Sequence, residues 1–132
     1  MCSGIEYLDA LITWQNEPVK LPVRLRNGDI TWIRWGELHG RQSSFVHGPC
    51  ARLDSIQSGK WDRFQPQPVK IPLARYMERD SRGTPVWIKV NPGQHLQGLI
   101  ATWQGEQRIY VVTVETPKNF RHVQPRWPRL LD

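Results

Sequence analysis

The sequence predicts a mainly β (α+β) fold: one domain over residues 1–132, with antiparallel strands forming a barrel-like core and a few short helices at its edge. Three observations predict it. "PVKLPVRLR" runs into Asn27-Gly28 and then "DITWIRWG", two strand-like runs around a turn dipeptide. Four further strand-like runs fill the second half: "VKIPLARYME", "TPVWIKV", "LQGLIATWQ" and "RIYVVTVE". Prolines and glycines separate such runs throughout, with no internal repeat and no low-complexity segment. At 132 residues there is enough chain for one hydrophobic core and not for two.

Taken in order, the segment 6–15 reads either as a short helix with Leu8, Leu11 and Ile12 on one side, or as strand through "LITW". Residues 23–35 read as a β-hairpin in which Asn27 and Gly28 supply the two positive-φ positions of a tight turn. Residues 52–64 read as a helix broken near Gly59. The four later runs read as a meander, punctuated at residues 81–83, 91–93 and 104–106. In "FRHVQPRWPRLLD", Pro125 and Pro128 predict irregular chain, because each removes a backbone donor and fixes φ.

Lys and Arg number 18 against 12 Asp and Glu, a net charge of +6, and there are seven tryptophans. Arginine with aromatic residues suits single-stranded nucleic acid, where guanidinium groups hold phosphates and rings stack on bases. It suits equally a small core filled by Trp under a soluble surface, and composition leaves both open. No long apolar run is present, so no membrane partner is expected. The N-terminus lacks a basic stretch followed by an apolar one, which predicts a cytoplasmic protein, nucleoid-associated when bound to DNA. Cys2 and Cys50 make no disulfide framework. His39, His47, His95 and His122 lack ligand-type spacing, so neither a metal nor another cofactor is expected.

Four places hold polar residues that a β domain does not need for folding. Cys2 follows the initiator methionine, which is normally trimmed before a small residue. Trimming would leave a thiol and a free α-amine on one residue. That amine titrates near pH 8, so a useful fraction is uncharged at neutrality. Such an aminothiol condenses with an aldehyde to an imine and closes to a five-membered thiazolidine; alternatively the cysteine is an amidase-type nucleophile, or an inert small residue. Glu78, in "RYMERD", is either a solvated ion-pair partner or, if buried, a proton carrier. His122 lies in an irregular segment and matters only if the fold brings it near Cys2. In "GPCARLDS", Arg52 suits a phosphate, and Cys50 reads as a buried strand residue rather than a second nucleophile.

These segments, in this order, resemble the SOS-response-associated peptidase (SRAP) family, whose members shield abasic sites in single-stranded DNA. The family opens Met-Cys-Gly-Arg, here Met1-Cys2-Ser3-Gly4. Its Trp-Gly after a strand is Trp35-Gly36, following Arg34. Its Asn-Ala-Arg-x-Glu-Thr is Cys50-Ala51-Arg52-Leu53-Asp54-Ser55. Its strand ending aromatic-Glu-Trp, then Pro-aromatic-Phe-Ile, is Tyr76-Met77-Glu78-Arg79, then Pro85-Val86-Trp87-Ile88. Its His-x-Arg-Met-Pro is His122, then Arg126-Trp127-Pro128 after an apparent two-residue insertion. The resemblance spans most of the chain and suggests a short, phage-related member.

The resemblance implies a self-processing, cysteine peptidase-like and lyase-like protein. Cys2, freed of Met1 autocatalytically or by the host, would form a thiazolidine crosslink with the ring-opened abasic sugar. Glu78 would shuttle protons, and His122 would sit by the sugar. Arg52, Arg126 and Arg34 would bind phosphates, and Trp35 would pack against DNA or floor the site. Cys50 stands where the family has an asparagine that orients the site, and a thiol is a much weaker hydrogen-bonding group. Gly4 stands where the family has arginine, which removes one phosphate contact. The implied partner is single-stranded DNA with abasic sites, bound by a monomer. Two alternatives are a non-covalent single-stranded nucleic-acid binder and a phage interaction domain.

Overall fold

The computed structural model describes residues 2–122 and 124–132. It is mainly β, as the sequence predicts. Helix among the described residues is confined to one short α-helix and two 3-10 turns.

The chain opens with β1 (Gly4–Tyr7) and β2 (Ala10–Thr13), a hairpin rather than a helix. Tyr7 faces Ala10 directly, and the two turn residues Leu8 and Asp9 both have positive φ, 48° and 66°. That primed geometry matches the twist of paired strands. The supposed apolar side is not one buried face, since Leu8 and Leu11 are exposed. Pairing of β1 with a distant strand decides the matter, a term that no local pattern contains.

β3 (Lys20–Arg24) and β4 (Ile30–Arg34) form the expected hairpin, but its turn differs. Only Gly28 has a positive φ, 88°; Asn27 does not. The Gly28 N–H donates to the Leu25 carbonyl and the Leu25 N–H to the Asp29 carbonyl, each at 2.9 Å. The loop is therefore one residue longer than the tight turn, and the Asn27 side chain accepts the Asp29 N–H at 2.9 Å.

β5 (Cys50–Arg52) leads into α1 (Leu53–Gln57), and a 3-10 turn (Asp62–Phe64) follows Gly59, whose φ of 87° supplies the expected break. "VKIPLARYME" is not one strand. It divides into β6 (Gln67–Ile71) and β7 (Arg75–Arg79) in different sheets, because Pro72 has no N–H to continue a ladder. β8 (Pro85–Lys89), β9 (His95–Trp103) and β10 (Glu106–Glu115) are joined at the expected turns. After a second 3-10 turn (Lys118–Phe120), the tail contains β11 (Arg126–Pro128) and β12 (Leu130–Leu131), where irregular chain was expected. The prolines are tolerated because β11 is an outer strand of its sheet. Burial of Trp127, opposite Val114, holds it there.

The small sheet has the order β2-β1-β7-β8. The large one runs β11-β10-β9-β6-β3-β4, with β5 beside β10 and β12 beside β9. The large sheet curls until Trp35 makes one parallel bridge to Ile109 of β10. Neither sheet closes, so the architecture approaches a barrel without becoming one.

Along β9, Leu96 and Ile100 face a core shared with the small sheet's Ile5 and Tyr76, and Leu99 and Ala101 face the other side. β10 alternates likewise, Ile109 and Val111 against Tyr110 and Val112. The second side is covered by Phe45, Trp61 and Phe64. No helix among the described residues is long and apolar enough to cross a membrane.

Trp35 and Gly36 fix the next segment. Trp35 is 1 % exposed and its Nε1 donates to the Pro49 carbonyl at 2.9 Å. Gly36 has φ 59°, and a Cβ there would lie 2.1 Å from the Gly48 carbonyl oxygen. Gly36→Ala is expected to cost at least about 2 kcal/mol, from left-handed strain plus a backbone clash. Chemical denaturation of both proteins checks this, and an unchanged midpoint would refute the contact.

Candidate functional site

β1 and β5 bring the two thiols together. The Ser3 N–H donates to the Met77 carbonyl at 3.2 Å, and Gly4 pairs with Met77, which sets the N-terminus along β7. The Gly36–Gly48 contact and the Val111–Cys50 pairing set the start of β5 beside it. The Cys50 thiol donates to the Cys2 carbonyl at 3.4 Å. The Cys2 thiol donates a long contact to the Gly4 carbonyl, 3.7 Å.

Cys2 is 0 % exposed, so it does not fray as a terminal residue would; it is part of the main core. Burial pushes its thiol well above the usual range, and Cys50 and Glu78 raise it further. Burial likewise pushes Cys50 up to about 12. Both sulfurs are thiols at neutral pH.

Glu78 is also 0 % exposed, on β7. It is therefore not the solvated carboxylate that one reading of the sequence offered. Burial raises its carboxyl from the ordinary 4.5 to about 7. Tyr76, two residues earlier on the same face, is raised by burial and then by Glu78 and Cys2. The buried Cys2, Glu78 and Tyr76 and the half-buried Cys50 thus form one mutually interacting group.

The raised carboxyl has a consequence for stability. The folded state holds a proton that the unfolded state releases above about pH 4.5. Its contribution is complete below that value and is lost as the pH rises through about 7. Unfolding free energies measured across this window should fall for the wild type relative to Glu78→Gln. Parallel curves would mean that Glu78 titrates normally.

The predicted phosphate ligands divide. Arg52 is exposed and donates to both Asp54 oxygens, at 3.1 and 2.8 Å. Those bonds hold Asp54 down to about 2, and Arg126 lowers it slightly more. Arg52 shares a face of β5 with Cys50, about 7 Å away along the strand. Arg126 donates to the Thr113 carbonyl at 2.9 Å, and its Nε is buried without a partner. These two arginines both act on Asp54, and Arg52 ends the strand that Cys50 begins.

Arg34 does not join them. It is ion-paired at 3.2 Å with Glu37, a buried carboxylate that also holds Arg108 at 3.1 Å. Trp35 belongs to the same core as Cys2 and has no surface to offer DNA.

His122 is exposed just after the second 3-10 turn. Its segment reaches the thiol group indirectly: Phe120 stacks on Trp127 at 5.3 Å, and Trp127 meets Tyr76 edge-on at 5.6 Å. The expected removal of Met1, and Val123 of the apparent two-residue insertion, lie outside the described residues. Among the described residues no group of His, Cys, Asp and Glu is placed to hold a metal ion.

Compared with family models, curated proteins and solved structures, the chain matches none. Its function is read from its own residues.

Sequence reasoning missed Glu37 and Arg108. Neither lies in a motif, and their burial follows from the approach of β4 to β10. Tyr76 was visible only as the aromatic residue before Glu78. Its period-two spacing from Glu78 was the available signal.

Proposed function

We propose that the chain captures abasic sites in single-stranded DNA through Cys2, once Met1 has been removed. The single observation that supports this most is the burial of Glu78 against Cys2, with its carboxyl poised near neutrality. A group that titrates near the working pH both accepts and returns a proton efficiently.

The chemistry balances without an oxidant. The freed α-amine attacks the sugar aldehyde, and water leaves as an imine forms. The sulfur then bonds to the imine carbon, the C=N bond becomes C–N, and the thiol proton is transferred to nitrogen. Glu78 takes that proton from sulfur and delivers it. Arg52 and Arg126 hold the flanking phosphates.

The test is incubation with an oligonucleotide carrying one abasic site, followed by denaturing electrophoresis and intact mass. Loss of the Met1 mass and a heat-stable adduct are expected. A second reading, non-covalent binding alone, is favoured by the complete burial of Cys2. It predicts salt-sensitive binding with no adduct at all.

A further inference from the structure

The outer face of the large sheet has two zones. Over β9 and β10 it is covered by Phe45, Trp61 and Phe64. Over β3 and β6 it is open, and a groove of about 570 Å³ lies there.

Arg24, Arg26, Lys70 and Arg129 line this groove, and no carboxylate does. None of the four is in a salt bridge among the described residues. The Arg24 Nε is buried without a partner, and one Nη makes only a 3.4 Å contact to the Gly28 carbonyl. Arg129 donates to the Gln97 side chain.

The register arranges these groups. Arg24 pairs with Lys70, and Lys70 pairs with Gln97, one row across three strands. At ordinary strand spacing the row spans about 10 Å. Their neighbours Val23, Val69, Ile71 and Leu96 point into the core that holds Cys2. The row therefore points to the opposite side of the sheet.

Four cations without a carboxylate repel one another until an anion arrives. His95, at the start of β9, is held below its ordinary value first by burial and then by Lys70 and Arg24, the same positive field. Guanidinium forks match phosphate oxygens, and Leu25, Pro68 and Leu131 give the groove an apolar side. An extended row in an open groove suits a chain of phosphates better than a single enclosed one.

We propose that this groove binds the phosphodiester backbone of a single-stranded nucleic acid, on the face of the large sheet opposite Cys2. It is a second strand contact, sharing no residue with Arg52 and Arg126. It does not depend on the crosslinking chemistry.

The experiment uses fluorescence anisotropy of a labelled thymidine 12-mer, with every protein carrying Cys2→Ser so that no adduct contributes. Arg24→Ala with Lys70→Ala is expected to weaken binding at least tenfold. It should also flatten the slope of log K against log salt by about 1.4, two contacts at roughly 0.7 each. Arg26→Ala with Arg129→Ala, both exposed, should behave alike and guards against misfolding of the first pair. Lys60→Ala, an exposed charge on the far zone, should change neither quantity. Unchanged affinity and slope in both pairs overturns the proposal. So does an equal loss in Lys60→Ala, or a groove that takes inorganic phosphate while 12-mer binding is indifferent to it. Crosslinking by the unmodified Cys2 protein is scored separately, so either reading can fail alone.

Discussion

The adduct with an abasic oligonucleotide is expected to vanish in Cys2→Ser, and to form about a hundredfold more slowly or worse in Glu78→Gln. Serine keeps the shape of cysteine in the core but cannot close a sulfur–nitrogen ring. Glutamine keeps the shape of glutamate but cannot carry a proton between sulfur and nitrogen. The need for that carrier is acute here, because burial holds both thiols protonated. Adduct yield against time, for each protein at equal folded concentration, is the measurement. A wild-type rate in Glu78→Gln removes Glu78 from the chemistry. An adduct that survives Cys2→Ser removes Cys2 and with it the proposed capture. The rate should also rise with pH through about 7, as Glu78 loses its proton and becomes able to accept one.

Glu37→Ala is expected to destabilise the fold by about 3 kcal/mol, because it takes the buried carboxylate from Arg108 and leaves that guanidinium only the exposed Glu106 carboxylate at 3.3 Å. For a domain of this size that lowers the thermal midpoint by about 10 °C or more. Three side chains converge on Glu37: Arg34 at 3.2 Å, Arg108 at 3.1 Å and the Ser43 hydroxyl at 3.3 Å. The Arg108 guanidinium also lies over the Phe45 ring, 4.5 Å from its centre. Removing both buried charges with Glu37→Leu and Arg108→Met should restore part of the loss, since the charges that then lose a partner are the part-exposed Arg34 and the exposed Glu106. Calorimetry of the single and double variants checks this. A single variant within about 0.5 kcal/mol of wild type would mean that water reaches the pair.

Elements governed by short-range chemistry were legible. The β3–β4 hairpin follows from two strand-like runs around Gly28, and the break after α1 follows from Gly59. The turns before β8, β9 and β10 follow from Gly83, Gly93 and Gly105. The first hairpin was ambiguous because Leu8-Asp9 carries no turn signal, yet both residues adopt positive φ. The tail misled because Pro125 and Pro128 speak only of local hydrogen bonding, whereas burial of Trp127 is a tertiary gain. The four named polar residues fared differently for the same reason. Cys2 immediately precedes β1, which pairs with the β7 strand that carries Glu78, whereas His122 lies in an exposed turn.

By itself the sequence determined a mainly β fold with a basic, tryptophan-rich character, and the places where its strands turn. Only the tertiary structure decided that Cys2 is buried, that Arg34 is paired with Glu37, and that four cations share one groove. Turn chemistry acts over a few residues and is written in them. Burial, charge pairing and the choice of sheet face depend on strands that meet from opposite ends of the chain.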